Sequence, residues 1–417
     1  REVSDFELFQ KGRNRLAINI MQKQDEWNEN NIKMFDYQFE TGFNKQRRIV
    51  AQTVFLMRSK NLGLPQFVMK PETIFDKITT YFGKQDIDFE RFPKFSGNYL
   101  LQGEDEEYIR FKMSDEILHF FGQERGWHME GINYYPQDSP WDTFGEKFSN
   151  DVLSKDFKII KDLRLNSIRI FVGYEDFGKA HVSHNKLTKL TTLLDEAEKV
   201  GLKVIVTLFD FYGDYSLQDW TLTNAHLKSI ATTIKDHPAL LAWDLKNEPD
   251  LDFEGRGERD VLSWLSQSIN YLKRIDSEHP VTIGWSSPEK AILLKDQVDF
   301  ISYHYYNDLK YLSEAHSKLS ATTSKPVVLQ EFGMSSYRGL WNLLGNSEKD
   351  QANYYSDFFK TQKRDSIHYL SWTLFDYRGI PNRVAGELPW RKNKQAFFGI
   401  IDTLGVKDDA YLIIKNR

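Results

Sequence analysis

The chain has 417 residues, a formal net charge of -5 and no cysteine, with 40% of its residues hydrophobic and 28% charged. This is room for one large domain and a smaller one, and the slight acidity gives no electrostatic case for nucleic acid or an anionic membrane surface. The lack of Cys excludes disulfides, thiol nucleophiles and thiolate metal sites, and no apolar run reaches the roughly 18 residues of a membrane-spanning helix.

Ten Trp, twenty Tyr and thirty Phe make the chain aromatic-rich. Such residues mostly fill cores, but flat rings also stack on sugar faces, and composition does not separate the two uses. The chain opens at Arg1 with neither an initiator Met nor a signal peptide. Arg1 is therefore expected to be a fragment boundary, with any targeting segment lost upstream.

Residues 1–60 read as helical and polar, with apolar positions at helix-like spacing from Phe35 to Met57. From Leu64 to Phe121 the pattern is mixed. Gly97–Gln102 and Tyr108–Met113 look strand-like, and the acidic Glu104-Asp105-Glu106-Glu107 reads as a turn. A small α+β domain is predicted over residues 1–122.

From Gly131 onward, short apolar strands alternate with amphipathic helical stretches. The strand candidates are Gly131–Tyr135, Ser167–Val172, Lys203–Phe209, Leu240–Leu245, Val281–Trp285, Phe300–His304, Val327–Gln330 and Tyr369–Leu374. Helical patterns between them include Leu187–Val200, Asn224–Asp236, Asp260–Ile275 and Glu348–Arg364. Eight such units predict an α/β fold, a (β/α)₈ TIM barrel over residues 123–417. Phe397–Asp402 would then lead from the last strand into the final helix.

In such a barrel the C-terminal strand ends face the active site. Trp243-Asp244-Leu245-Lys246-Asn247-Glu248-Pro249 closes the fourth strand, so Asn247 and Glu248 should project there, and Pro249 ends the ladder because it lacks an amide hydrogen. Val327-Val328-Leu329-Gln330-Glu331-Phe332-Gly333 closes the seventh strand with a second carboxylate. A single Glu after a buried strand is as often a solvated charge as a functional group. Two across one mouth are a different matter, since a carboxyl pair is what glycosidic cleavage requires.

With these residues in hand, the chain from about residue 125 to 417 resembles the retaining clan A glycoside hydrolases, and within them family 5, the cellulase and β-mannanase family. The resemblance implies Glu248 as acid/base and Glu331 as nucleophile. It also implies substrate-site roles for Arg169 beside the nucleophile, Asn247 toward the sugar 2-hydroxyl, His304 and Tyr306 of a His-x-Tyr pattern, and Trp372 as the floor of the reactive subsite. Taken singly, Arg169 could be a surface charge, His304 a satisfied core imidazole and Trp372 simple packing. After the third strand the chain has Asp210 where the family often has His, so Asp210 either binds a hydroxyl in its stead or shapes the loop. No metal and no cofactor are implied. The expected partner is a carbohydrate, glucan or mannan by resemblance, cleaved by double displacement. Arg169 should keep Glu331 ionised, and the charge on Glu331 should keep Glu248 protonated.

Asp86–Glu90, Phe95–Tyr99 and Gly103–Glu106 resemble an uncharacterised bacterial module often found near membrane segments. No activity is carried over from it. It makes a membrane-associated or protein partner for residues 1–122 an expectation, and a periplasmic, cell-surface or membrane-associated location the expectation over a cytoplasmic one.

Rival readings are weaker. A metal-dependent amidohydrolase wants His-x-His on strand one, where Gly131-Ile132-Asn133-Tyr134-Tyr135-Pro136 has no His. A non-catalytic glycan-binding barrel predicts the loss of a carboxylate, and both are present. Transglycosylation would share every residue named and differ only in the acceptor.

Overall fold

The computed structural model describes residues 13–25, 30–41, 48–58, 67–71, 87, 89, 99–103, 105–113, 129–339 and 342–417. The chain divides into two compact units, Arg1–Gly126 and Trp127–Arg417.

In the first unit, β1 (Arg13–Asp25), β2 (Asn30–Thr41) and β3 (Arg48–Arg58) form an antiparallel sheet in that order. This overturns the helical reading of residues 1–60 over 13–25, 30–41 and 48–58, and the rest of that stretch lies outside the described residues. In β3, Ile49, Val50, Thr53, Val54 and Phe55 favour the extended backbone over a helix. β1 has register shifts between Arg13 and Leu16 and between Ile18 and Met21, which break the two-residue rhythm that would have announced it. β4 (Phe67–Pro71) pairs antiparallel with β5 (Tyr99–Gly103), which overlaps the strand predicted at Gly97–Gln102.

Glu106 and Glu107 of the acidic stretch, with Tyr108–Lys112 of the predicted strand, instead make one helix, Glu106–Lys112, and Glu104 lies outside the described residues. Asp105 caps it by accepting from the Tyr108 N–H at 3.0 Å. Glu106 and Glu107 occupy the first turn and Arg110 and Lys112 the last, which suits the helix dipole. The Glu106–Arg110 pair spans one turn at 2.7 Å.

The second unit is a closed barrel of eight parallel strands. They are β6 (Glu130–Asn133), β7 (Ser167–Gly173), β8 (Lys203–Asp210), β9 (Leu240–Asn247), β10 (Val281–Trp285), β11 (Ile301–His304), β12 (Val327–Glu331) and β13 (His368–Ser371). All eight predicted strands are present, so the (β/α)₈ expectation holds. Helices follow most strands, and the connection from β10 to β11 is made of turns. Among the described residues, no helix is long and apolar enough to cross a membrane.

The strands read as nearly continuous apolar runs because both faces are covered. In β8 every residue from Val204 to Asp210 is buried. The helices are amphipathic. Glu258–Ile275 buries Val261, Trp264, Leu265, Ile269 and Leu272 while carrying acids in its first turn and Lys273 and Arg274 in its last. Glu348–Asp365 starts on a capping box between Ser347 and Asp350.

Inside the barrel, Met129, Ile205, Ala242, Phe300, Val328 and Leu370 pack together near the strand N-termini. Closer to the strand C-termini, the interior turns polar, with Asn133, Arg169, Thr207, Asp244 and Gln330 all buried. A polar layer on an apolar plug sets up the site above it.

Candidate active site

Arg169, on β7, is fully buried and organises the mouth of the barrel. Its Nε and Nη2 donate to Asp244 Oδ2 at 2.9 and 2.6 Å, and Nη2 also donates to Asn247 Oδ1 at 2.8 Å. Nη1 donates to Asn133 Oδ1 at 3.1 Å and to Glu331 Oε2 at 3.3 Å. The five guanidinium hydrogens therefore meet five acceptor contacts, which a lysine could not reproduce. Asp244 also accepts from Thr207 Oγ1 at 2.8 Å and from the Gly284 N–H at 2.9 Å. A Cβ at Gly284 would stand 2.8 Å from Arg169 Nη2 and 2.7 Å from Gln330 Oε1, so the strand beside the guanidinium needs a glycine.

Glu248 follows β9 directly, with its backbone in the left-handed region at φ 44°, ψ 51°. For a residue other than glycine this costs about 1–2 kcal/mol. The Glu248 N–H is held by the Gly284 carbonyl at 2.7 Å. Glu331 is the last residue of β12. Its Oε1 accepts from the Tyr306 hydroxyl at 2.6 Å, and its Oε2 faces Arg169. His304 Nδ1 lies 2.8 Å from Glu248 Oε1 and 3.7 Å from Glu331 Oε2. β11 ends at His304, so Tyr306 sits beyond the strand; Tyr306 donates to Glu331, while His304 contacts Glu248 and also faces Glu331.

One carboxylate oxygen each from Glu248 and Glu331 and a ring nitrogen of His304 all lie within 4.8 Å of one another. Retaining glycosidases hold their carboxyls on the order of 5–5.5 Å apart and inverting ones about 6.5–9.5 Å. The gap here is on the short side. Two carboxylates and an imidazole at this spacing could also accept a divalent cation. Both Glu331 oxygens, however, already receive protein donors, one of them a guanidinium that would repel a cation.

The charge distribution corrects one expectation. Burial pushes the Glu331 carboxyl up, with the charge on Glu248 adding to it, against the pull of His304 and Arg169. Burial also raises Glu248, but the hydrogen bond and charge of His304, with Arg169 and Lys246 behind them, outweigh it and hold Glu248 below the usual value. His304 is lowered by burial and raised more strongly by the two carboxylates. The two shifts thus run opposite to those expected from sequence: Glu331, the more enclosed carboxyl with its side chain 11% exposed against 25%, is raised, and Glu248 beside the imidazole is lowered.

Trp372 comes directly after β13, and its peptide bond to Thr373 is cis. Its ring packs against Tyr135, Trp141 and Phe171 at centroid distances of 6.1, 5.9 and 6.2 Å. All four residues line one cleft of about 1380 Å³ together with Asn247, Glu248, Tyr306, Glu331 and Asp210. Asp210 ends β8, accepts from the Tyr135 hydroxyl at 3.2 Å and is pushed up to about 6 by burial, against the pull of Lys246 and Arg169.

Every site residue singled out from the sequence thus stands in or under one cleft. Missed were Asn133, Asp244 and the ring wall of Tyr135, Trp141 and Phe171. Asp244 could have been found, because a charge between the apolar Trp243 and Leu245 of a strand demands a buried partner.

The family model for Cellulase (glycosyl hydrolase family 5) matches residues 132–378. The chain belongs to glycosyl hydrolase family 5. Among similar curated proteins, mannan endo-1,4-beta-mannosidase F of Aspergillus clavatus is 24% identical over 197 residues, covering 36% of this chain and 45% of that protein. Mannan endo-1,4-beta-mannosidase A of Emericella nidulans is 22% identical over 277 residues, covering 55% of this chain and 70% of that protein. The matched stretch is thus less than half of the first relative. Solved structures share the fold of this family 5 chain. The exo-beta-1,4-mannosidase Op5Man5 from an Opitutaceae bacterium has a TM-score of 0.55 at 18% identity, over 69% of this chain and 58% of that one. A beta-D-glucuronidase from Dictyoglomus thermophilum has a TM-score of 0.51 at 16% identity, over 92% of this chain and 57% of that one.

Proposed function

We propose that the barrel hydrolyses β-linked polysaccharides or oligosaccharides with retention of configuration, with Glu331 as nucleophile and Glu248 as acid/base. The observation that carries the proposal is the approach of the two carboxylates to within 4.8 Å at the floor of one open cleft. The names of the curated relatives favour mannan over glucan as the substrate.

In the first step a Glu331 oxygen bonds to C1 as the bond from C1 to the leaving oxygen breaks, and Glu248 gives that oxygen its proton. The 2.8 Å contact between His304 Nδ1 and Glu248 Oε1 gives that proton a path between imidazole and carboxyl. In the second step water attacks C1 of the glycosyl ester. Glu248 takes the proton from that water, and Glu331 leaves as carboxylate.

Arg169 and Tyr306 each donate to Glu331, so both stabilise its charge and fix its direction of attack. Asn247 has its Oδ1 tied to Arg169, which turns its NH₂ group toward the cleft as a donor for the sugar 2-hydroxyl. Trp372, Trp141 and Tyr135 supply the ring surfaces for the sugar face, and Asp210 supplies a hydroxyl acceptor.

The test is proton NMR of the products as they form from β-1,4-linked manno- and gluco-oligosaccharides. The β-anomer should appear first and mutarotate later. Initial release of the α-anomer would overturn retention, and no release from either series would overturn the activity.

A further inference from the structure

We propose that Arg383, which stands outside the cleft, is a positioning residue that holds the rings of Trp141 and Phe211 in place for the sugar. This rests on the hydrolase reading above.

Arg383 belongs to the short helix Asn382–Ala385 in the segment after β13. Its guanidinium meets the segments that follow β6, β7 and β8 at once. Nη2 donates to the Trp141 carbonyl, after β6, at 2.6 Å. Nη1 donates to Asp176 Oδ2, after β7, at 3.0 Å. The guanidinium carbon lies 4.7 Å from the centre of the Phe211 ring, directly after β8. Asp176 reaches this junction by lying close over the end of its own strand. A Cβ at Gly173 would stand 2.7 Å from Asp176 Oδ2, so a side chain there would push the carboxylate away from Arg383.

The two aromatic residues that Arg383 touches share an uncommon backbone. Trp141 has φ 58° and Phe211 φ 56°, in the left-handed region where residues other than glycine are strained. Such conformations persist where their surroundings over-determine them. Arg383 bonds the main chain of one residue and covers the ring of the other. Both rings line the cleft, and Arg383 does not. Trp141 packs on Tyr135 and Trp372 at centroid distances of 5.2 and 5.9 Å, so a shift of its backbone would move that ring wall. Phe211 is 40% exposed and has less protein around its ring to hold it.

A planar guanidinium suits this junction, because one rigid fork serves a carbonyl, a carboxylate and a ring face together. An ammonium is a point charge and cannot serve all three in that geometry. Ring contacts to the sugar are made in the ground state and the transition state alike. Loosening them should therefore raise KM and spare kcat.

The test is steady-state kinetics of the whole chain on β-1,4-linked manno- and gluco-tetrasaccharides. Arg383→Met should raise KM at least about fivefold and leave kcat within about twofold of the unaltered chain. Arg383→Lys should recover only part of that loss. With Trp141→Ala already present, Arg383→Met should add less than it does alone, because both act on one wall. Asp176→Asn frees one arm of Arg383, should raise KM by less, and carries the test if Arg383→Met does not fold. An unchanged KM in Arg383→Met overturns this inference and leaves the hydrolase reading standing. So does an unchanged KM in Asp176→Asn where only that variant folds, and so do strictly additive effects of Arg383→Met and Trp141→Ala. No turnover by the unaltered chain overturns both.

Discussion

The His304 imidazole stands 2.8 Å from the Glu248 carboxylate, buried on one side and ionically held on the other. The pair carries one proton between them in the competent state, and its loss sets the alkaline limit of the first step. The imidazole is the more basic partner, raised by Glu331 and Glu248 above its ordinary value. In His304→Gln the carboxyl holds the proton alone, without the hydrogen bond and charge that keep it below its usual value. The alkaline limb of the kcat/KM profile should therefore move. A limb that stays in place would show that His304 does not share this proton.

Arg169 and Asp244 are both wholly buried and meet at 2.6 Å. Arg169→Met leaves Asp244 charged and uncompensated, and should cost on the order of 3–5 kcal/mol of stability. Arg169→Lys should lose part of that, because an ammonium cannot bridge Asp244, Asn247, Asn133 and Glu331 together. Removing both charges in Arg169→Met/Asp244→Leu should cost less than the sum of the single changes. Urea unfolding of the four variants measures this, and strict additivity would contradict it.

Asp210 adds a third titrating carboxyl to the cleft. Its value in the fold is raised to about 6, chiefly by burial, so it is an acceptor-only anion above that pH and protonated below it. KM should rise as pH falls through about 6, and Asp210→Asn should flatten that rise. The stability consequence has the opposite sense. A raised carboxyl contributes fully below its unfolded value near 3.9 and loses that contribution as pH rises through about 6. Asp210→Asn should accordingly raise the unfolding midpoint at pH 7.5 and leave it nearly unchanged at pH 3.5. A variant less stable than the parent at pH 7.5 would contradict the assignment.

Glu248→Ala should retain the first step on aryl glycosides whose leaving groups need no proton, and stall at the glycosyl ester. A burst of phenol followed by slow release is the expected trace, and added azide should speed the slow phase. Equal loss on good and poor leaving groups would argue against Glu248 as the acid.

The barrel was legible because its strands are buried on both faces and so stand out as apolar runs between amphipathic helices, as in Lys203–Asp210 and Glu258–Ile275. Glu248 and Glu331 were legible because each ends such a run. Asn133 was not. A lone amide on a strand announces nothing, and its role depends on Arg169, 36 residues away. The N-terminal strands were misread because the apolar Ile49, Val50, Val54 and Met57 of β3 stand at helix-like spacing in the sequence. Proton placement was also out of reach. It depends on how deeply Glu331 is enclosed and on the His304 contact, and neither is written in local sequence.

The mechanism turns on attack of Glu331 on the anomeric carbon. Incubation with a 2-deoxy-2-fluoro β-mannosyl or β-glucosyl fluoride, which slows breakdown of the glycosyl ester, followed by proteolysis and mass spectrometry of the peptides, tests it most directly. One sugar should be added per chain, on the peptide carrying Glu331. Label on Glu248, or on a peptide containing neither residue, would contradict it.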